Sequence, residues 1–444
     1  MVGSHHRIIR TLVAILPTMV YSVLFLSQPL VAQSNTPWSQ GRSDPQDLII
    51  QLVTTEPGDE IYTWWGHTAI IVEDTNFNYS RFYNFGLFSF QEENFFVNFA
   101  RGRLYFEVDS TPTKASLEVY KRRNRTIHIQ TLNLPPAKRL EVALLLDINI
   151  LPENKRYLYD HYYDNCATRV RDLIDVVVDG MLSEAASVDT EFTLRDQTRR
   201  FTGKSFLMDL LLMFLMNDTI DQPTSKWEDM FLPMELMKQV GELEVKDEHG
   251  GTVPLVSETK VFYWADNREP IPERMKAPIG LSLLIGLFIG AVGAVFWVLA
   301  GAERPGRHKI GRIGSGTHSA LIGLVVGGPG LFLFIVAIFT DHTVTYWNEN
   351  LFLANPLTFA ALPLGILTAL GKGRSKNILK WVWRAQLVLV LLMLLLKIFP
   401  VFDQYNWPSI SLLLPIYLGL VAPDLTRDFR RWLGSKTSTN IAVD

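Results

Sequence analysis

The sequence predicts two parts in series: an α+β extracytoplasmic domain, then an all-α membrane bundle of about five transmembrane helices. Three observations carry this. The first thirty-odd residues have the layout of an export signal, the stretch up to about residue 277 mixes polar and apolar residues as soluble domains do, and five apolar segments follow, the first two of full spanning length and the third and fifth short, with Pro363 and Pro415 in them. A chain of 444 residues is long enough for two or three domains, and its 48% hydrophobic content is high for a wholly soluble protein.

The export signal comes first. Arg7 and Arg10 precede an apolar run to Leu30, and the small residues Val31 and Ala32 mark a cleavage point after Ala32, giving a signal peptide over 1–32. The run is also long enough to stay as an uncleaved anchor. Either way the next segment, 33–277, is expected outside the cytoplasm. Within it, Leu48–Thr54, His67–Glu73, Arg81–Leu87, Leu104–Val108 and Thr126–Gln130 read as strands bounded by Gly, Pro, Asn and Asp. Pro136–Asn149 reads as a helix with proline in its first turn and Leu140, Leu144 and Ile148 on one face. A second helix opens at Asp164-Asn165, buries Val170, Leu173, Ile174, Val177 and Val178, and stops at Gly180. Phe206–Met216 is strongly apolar yet too short to span a bilayer, and reads either as a core helix or as a surface dipping into the membrane.

The membrane part occupies 278–423, with spans near 278–300, 318–340, 357–370, 381–400 and 409–423. Arg304, Arg307, Lys309 and Arg312 lie between the first two spans, and Lys372, Arg374, Lys376 and Lys380 between the third and fourth. Arg427, Arg430, Arg431 and Lys436 follow the fifth. The alternate loops, Asp341–Asn355 and Asp403–Ser409, contain no Lys or Arg, so the positive-inside rule places them outside and the tail 424–444 in the cytoplasm. That topology agrees with an N-terminal domain outside the cytoplasm.

The charge balance excludes other classes. A net charge of -3 gives no basic surface for nucleic acid. Walker-type loops, HExxH, Gly-x-Ser-x-Gly and Cys-x-x-Cys are all absent, so no metal and no cofactor is expected. One cysteine, Cys166, rules out an intramolecular disulfide. It stands at the first turn of the helix CATRVRDLIDVVVDG, where backbone N–H groups and the macrodipole favour a thiolate, making Cys166 a candidate nucleophile. Those N–H groups, with the Asn165 side chain, are placed to stabilise an oxyanion. His67, opening the strand HTAIIVE after Gly66, is the candidate general base. Each also has a plainer reading, Cys166 as a packed small residue and His67 as a core histidine. His161, five residues before Cys166, is a rival base, and His128 reads as structural.

The stretches WWGHTAIIV, FYNFGLFSF, YDHYYDNCATRVRDLID and WEDMFLP, followed by the outer segment Asp341-His342-Thr343-Val344 and YWNENLFLANPL, resemble the Lnb family. That family takes its name from a lipoprotein N-acyltransferase with a periplasmic N-terminal domain (DUF4105-type) and a five-helix membrane domain. The likeness covers nearly all of the chain after the signal segment. It implies a circularly permuted papain-like fold similar to the NlpC/P60 thiol enzymes, with His67 as base and Cys166 as nucleophile. A third, orienting residue is then expected on the next strand, at Tyr83 or Asn84. What the resemblance implies is acyl transfer. Cys166 would take an acyl chain from a membrane phospholipid as a thioester and pass it to the α-amine of a lipoprotein N-terminus. The outer loop around His342, Trp347, Asn348 and Asn350 would lie near the head groups, or serve as an interfacial belt. Two alternatives stand beside this reading: a membrane-anchored thiol amidase or peptidase of the cell envelope, and a non-catalytic lipid-handling scaffold.

Overall fold

A computed structural model describes residues 35–88, 94–247 and 250–439. The expected signal peptide, 1–32, lies outside the described residues.

Among the described residues the N-terminal part is built on one antiparallel sheet of seven strands: β1 (Leu48–Thr55), β2 (His67–Asp74), β3 (Tyr79–Leu87), β4 (Tyr105–Pro112), β5 (Ile127–Leu132), β6 (Arg156–Leu158) and β7 (Val256–Tyr263). Their order across the sheet is β7-β5-β1-β2-β3-β4-β6. Side chains alternate between its two faces. One face presents Ile50, Leu52, Ile70, Val72, Tyr83 and Phe85 to a large core shared with three helices, Pro136–Asn149, Cys166–Val177 and Pro233–Glu242. The other presents Val53, Ala69, Ile71 and Phe82 to the helix Thr113–Arg122, through Leu117 and Tyr120. In chain order we label the helices used below α1 (Phe95–Ala100), α2 (Thr113–Arg122), α3 (Pro136–Asn149), α4 (Cys166–Val177), α5 (Leu194–Thr202), α6 (Phe206–Leu215) and α7 (Pro233–Glu242).

The five expected strands and the three expected helices α3, α4 and α6 are present, with ends shifted by a few residues. Strand β4 starts one residue later than read from the sequence and runs on to Pro112. Helix α4 stops at Val177 rather than at Gly180, which takes a positive φ of 83° and opens the next short helix.

The C-terminal part has five helical stretches long and apolar enough to cross a membrane: Ile279–Leu299, Pro305–Phe339, Glu349–Ala369, Gly373–Leu396 and Trp407–Asp428. We label their helices α8 (Ile279–Leu299), α9 (Pro305–Val325), α10 (Gly327–Phe339), α11 (Ala361–Ala369), α12 (Gly373–Leu396) and α13 (Trp407–Thr439). The second stretch begins thirteen residues before the expected start because the basic segment is itself helical, with Pro305 at its first turn. Two basic side chains at this end of the bundle explain the placement of charge. Arg312 donates to the Thr368 and Ala369 carbonyls at the end of α11, and Lys376 donates to the Ala300 carbonyl at the end of α8. Cations thus satisfy carbonyls that the last turn of a helix leaves free. Helix α13 also runs through the expected tail as far as Thr439.

Small residues let the spans touch. A Cβ on Gly419 would stand 2.0 Å from the Gly290 carbonyl oxygen, and one on Gly316 would stand 2.5 Å from the Ala369 nitrogen. Contacts this close join α8 to α13 and α9 to α11 by backbone packing.

The two parts are joined at the end of the bundle opposite the basic residues. Helix α6 is neither a simple core helix nor a bare membrane surface. Its Asp209 and Met213 are buried toward α5, its Phe214 enters the core of the bundle, and Leu207 is exposed. Asn348 and Asn350 donate to the Phe214 carbonyl at distances of 3.3 and 2.8 Å, so these outer-loop residues are clasps between the two parts rather than free head-group ligands. Trp347, by contrast, is 95% exposed.

Candidate functional site

Residue 166 begins α4 because Asn165 caps it. The Asn165 carbonyl oxygen Oδ1 accepts from the Ala167 and Thr168 N–H groups, and Thr168 Oγ1 returns the bond by accepting from the Asn165 N–H. This reciprocal cap fixes the first turn and holds the thiol at the sheet's end. The Asn165 amide nitrogen donates to the His161 and Phe231 carbonyls, 2.7 and 3.0 Å away. Every polar atom of that side chain is therefore engaged, and the expected oxyanion role for Asn165 is corrected: the residue positions Cys166 and has no donor left for a substrate.

His67 is the first residue of β2 and stands over α2, its ring stacked on Tyr120 at 5.9 Å. Its Nε2 lies 2.7 Å from Asn84 Oδ1 on β3. An amide oxygen only accepts, so the proton sits on Nε2 and Nδ1 keeps a free lone pair. Of the two residues expected as third partner, Asn84 is the one beside the imidazole. Tyr83 points through the opposite face of the sheet into the core and bonds Asp147 of α3. The period of two along a strand separates these neighbours.

Gly86 brings the thiol and the imidazole together. It has a φ of 104° and sits where the β3–β4 register slips between Phe85 and Leu87. A Cβ built there would be 3.5 Å from Cys166 Cβ and 3.6 Å from His67 Cε1. Glycine tolerates the left-handed backbone and leaves the space between the two side chains open. Sequence reading did not pick out this glycine, although FYNFGLFSF contains it.

All of these groups line one cavity of about 690 Å³, together with His161, Tyr120, Tyr159 and Arg125. Much of the remaining wall is aromatic or aliphatic: Trp65, Leu87, Phe88, Phe95, Phe99, Leu104 and Phe106. Burial dominates its electrostatics. It pushes the Cys166 thiol above the ordinary thiol range, against the Thr68 N–H, the Arg125 charge and the N–H groups of Cys166 and Ala167, which all favour the thiolate. Burial thus opposes the thiolate that the helix terminus favours. Burial, helped by Arg125, lowers His67 to about 4, against the upward pull of Asn84. His161 is lowered to about 4 by burial as well, and its ring packs against Trp65, Tyr162 and Phe231. His128 is elsewhere, 2.8 Å from Glu56 Oε1. Arg125, missed in the sequence, is anchored through Nε to the Glu56 carbonyl and lies over the Tyr120 ring. Among the described residues no three His, Cys, Asp or Glu side chains gather to hold a metal ion.

This arrangement occurs in a recognisable domain. Residues 34–199 match the Lnb N-terminal periplasmic domain. The matched Lnb-type segment contains Cys166, His67, Asn84 and Gly86, and with five membrane-length apolar helices behind it the chain is a membrane protein with a periplasmic N-terminal domain. No curated protein and no solved structure matches the chain.

Proposed function

We propose that this protein is a membrane-bound Lnb-family acyltransferase that works through a thioester on Cys166. The observation that carries this reading is the cavity itself. A neutral thiol and a neutral imidazole stand in a largely apolar pocket whose wall includes Phe99, the residue that touches the outer loop of the bundle. An apolar pocket suits a fatty acyl chain, and the membrane bundle keeps the site beside lipids, which replaces much of the entropy of collecting them.

In the first half-reaction Cys166 Sγ attacks the ester carbonyl of a phospholipid while His67 Nδ1 takes the thiol proton. The oxyanion faces the Thr68 and Cys166 N–H groups that lie against the sulfur. The C–O bond breaks, His67 returns the proton to the alkoxide, and a lysophospholipid leaves. In the second, the α-amine of a lipid-modified lipoprotein N-terminus attacks the thioester and gives up its proton through His67, and Cys166 leaves as the thiol. Asn84 holds the imidazole in the tautomer this sequence requires. The fold expected for such chemistry is the permuted papain-like arrangement, in which histidine precedes cysteine and cysteine opens a helix. The positive-inside rule adds a cytoplasmic C-terminus.

Mass spectrometry of a reporter lipoprotein's N-terminal peptide, from membranes with this protein or its Cys166→Ala variant, tests the proposal. An amide-linked acyl chain present only with the unaltered protein supports it. If both ester-linked chains are retained, the donor is a separate phospholipid; if one is lost, the donor ester is the acceptor's own. An N-terminus left unacylated by a well-expressed, membrane-inserted protein overturns it and returns the amidase and scaffold readings.

A further inference from the structure

The six residues of α1, FFVNFA, expose an unusual amount of apolar side chain. Phe96 is 71%, Val97 48% and Phe99 51% exposed, while Phe95 turns inward. A contiguous patch of this kind on a soluble surface marks an interaction site.

The residues that follow fix where the patch lies. The Asp341 N–H donates to the Arg101 carbonyl at 2.8 Å, and Arg103 pairs with Asp341 at 2.6 Å. Gly102, with a φ of 79°, packs so closely that a Cβ there would stand 2.7 Å from the Asp341 carbonyl carbon and the His342 nitrogen. The Phe99 ring meets His342 edge to face at 6.4 Å. Asp341 comes two residues after Phe339, which ends α10 and is 70% exposed on the outside of the bundle. Helix α1 is thus held at the rim where a membrane span emerges.

From that rim a row of aromatic rings leads to the thiol. Phe99 is 6.4 Å from Phe95, Phe95 is 6.2 Å from Phe88, and Phe88 is 5.0 Å from Phe106, centroid to centroid. Phe106 in turn lies 3.8 Å from the Cβ position of Gly86, beside Cys166 and His67. All four rings line the cavity of the candidate site.

We propose that α1 inserts Phe96 and Val97 into the outer leaflet and forms the threshold over which one acyl chain of a bilayer lipid reaches Cys166 along the Phe99–Phe95–Phe88–Phe106 row. This rests on the acyl-transfer reading for its chemistry, and on the patch and its attachment to α10 for its geometry. The occupant is a hydrocarbon chain still anchored in the membrane, because the row begins where the bundle meets lipid and its walls offer little to a polar group.

Two measurements on the full-length protein in phosphatidylethanolamine and phosphatidylglycerol vesicles test it. In a Cys166→Ala background, Phe96→Cys provides a single thiol for the environment-sensitive fluorophore NBD. The expected result is blue-shifted emission quenched by lipids carrying a nitroxide near the top of the chain. Water-like emission quenched by iodide and not by those lipids overturns membrane insertion. In the second measurement Cys166 is intact and the rim carries Phe96→Asp with Val97→Asp. Thioester formation from long-chain phospholipid is expected to fall by at least about tenfold, and that from water-soluble p-nitrophenyl butyrate to stay within about twofold. Equal loss with both donors, or loss with neither, overturns chain delivery by α1. If the unaltered protein forms no thioester with either donor, the acyl-transfer reading falls and chain delivery with it, while the fluorophore depth still decides whether α1 enters the membrane.

Discussion

At neutral pH a thiol raised by burial and an imidazole lowered to about 4 meet as an uncharged pair, and this governs how Cys166 responds to pH. Alkylation by iodoacetamide needs the thiolate, so its rate should climb through the alkaline range and show no plateau near neutrality; a plateau from pH 6 to 8, the mark of a preformed ion pair, is the contrary result. Turnover of a soluble ester needs neutral His67, so its acid limb should fall near pH 4 rather than near the 6.5 of an unperturbed histidine. Stability follows the same group. The unfolded histidine binds its proton before the buried one does, so the stabilisation is whole above pH 6.5 and is lost as pH drops toward 4, with His161 adding in the same direction. Asn84→Ala removes the acceptor that fixes the His67 tautomer, and kcat for that ester should drop on the order of tenfold to a hundredfold with KM little changed. The residue types at this site were readable from GHTA and DNCATR, since a cysteine opening a helix and a histidine opening a strand are local patterns. Their protonation states were not, because desolvation depends on the walls that Phe88, Phe95 and Tyr120 bring from other elements.

Among elements, α4 shows how a cap places chemistry without taking part in it. Asn165→Ala leaves the Ala167 and Thr168 N–H groups and the His161 and Phe231 carbonyls without their partner. Loss of such a cap costs about 1 kcal/mol, more where the freed groups stay buried. Thermal unfolding of the variant should therefore shift downward, and rescue by Asn165→Asp should be partial because a carboxylate accepts from the helix but cannot donate to those two carbonyls. Full rescue by aspartate would mean that the carbonyl contacts contribute little. Strands β1, β2 and β3 and helices α3 and α4 were legible because each repeats apolar residues at its own period and is bounded by Gly, Pro, Asn or Asp. Helices α1 and α2 and strand β7 were not. FFVNFA is too short to show a period, Thr113–Arg122 is mostly polar with only Leu117 and Tyr120 buried, and β7 is a strand chiefly because it pairs with β5, more than a hundred residues earlier.

Across the whole molecule the question is what keeps a periplasmic site against its membrane bundle, and the answer converges on Arg195. Its side chain is 1% exposed, pairs with Asp221 at 2.5 Å, and donates to the Met213, Met216 and Asn217 carbonyls. Those partners face the bundle in turn. Asp221 accepts from the Tyr405 N–H, Gln404 donates to the Met216 carbonyl, and Asn217 reaches the Thr343 and Tyr346 carbonyls of the outer loop. None of this was visible in the sequence, where Asp341–Asn355 and Asp403–Ser409 could be placed outside by lacking Lys and Arg but not attached to anything. Arg195→Met keeps much of the volume and removes the cation, stranding Asp221 in a site with little water; breaking a buried pair from one side costs about 3–5 kcal/mol. Neither Arg195 nor Asp221 lines the cavity, so Cys166 should still form a thioester with a soluble short-chain ester. Transfer from bilayer phospholipid should fall sharply, because the site is no longer held at the rim, and protease should cut more readily in the segments that join the domain to the bundle. If the lipid reaction survives at full rate in a variant shown to be destabilised at this joint, then tethering by the chain alone brings donor and thiol together, and the clasp serves stability rather than substrate delivery.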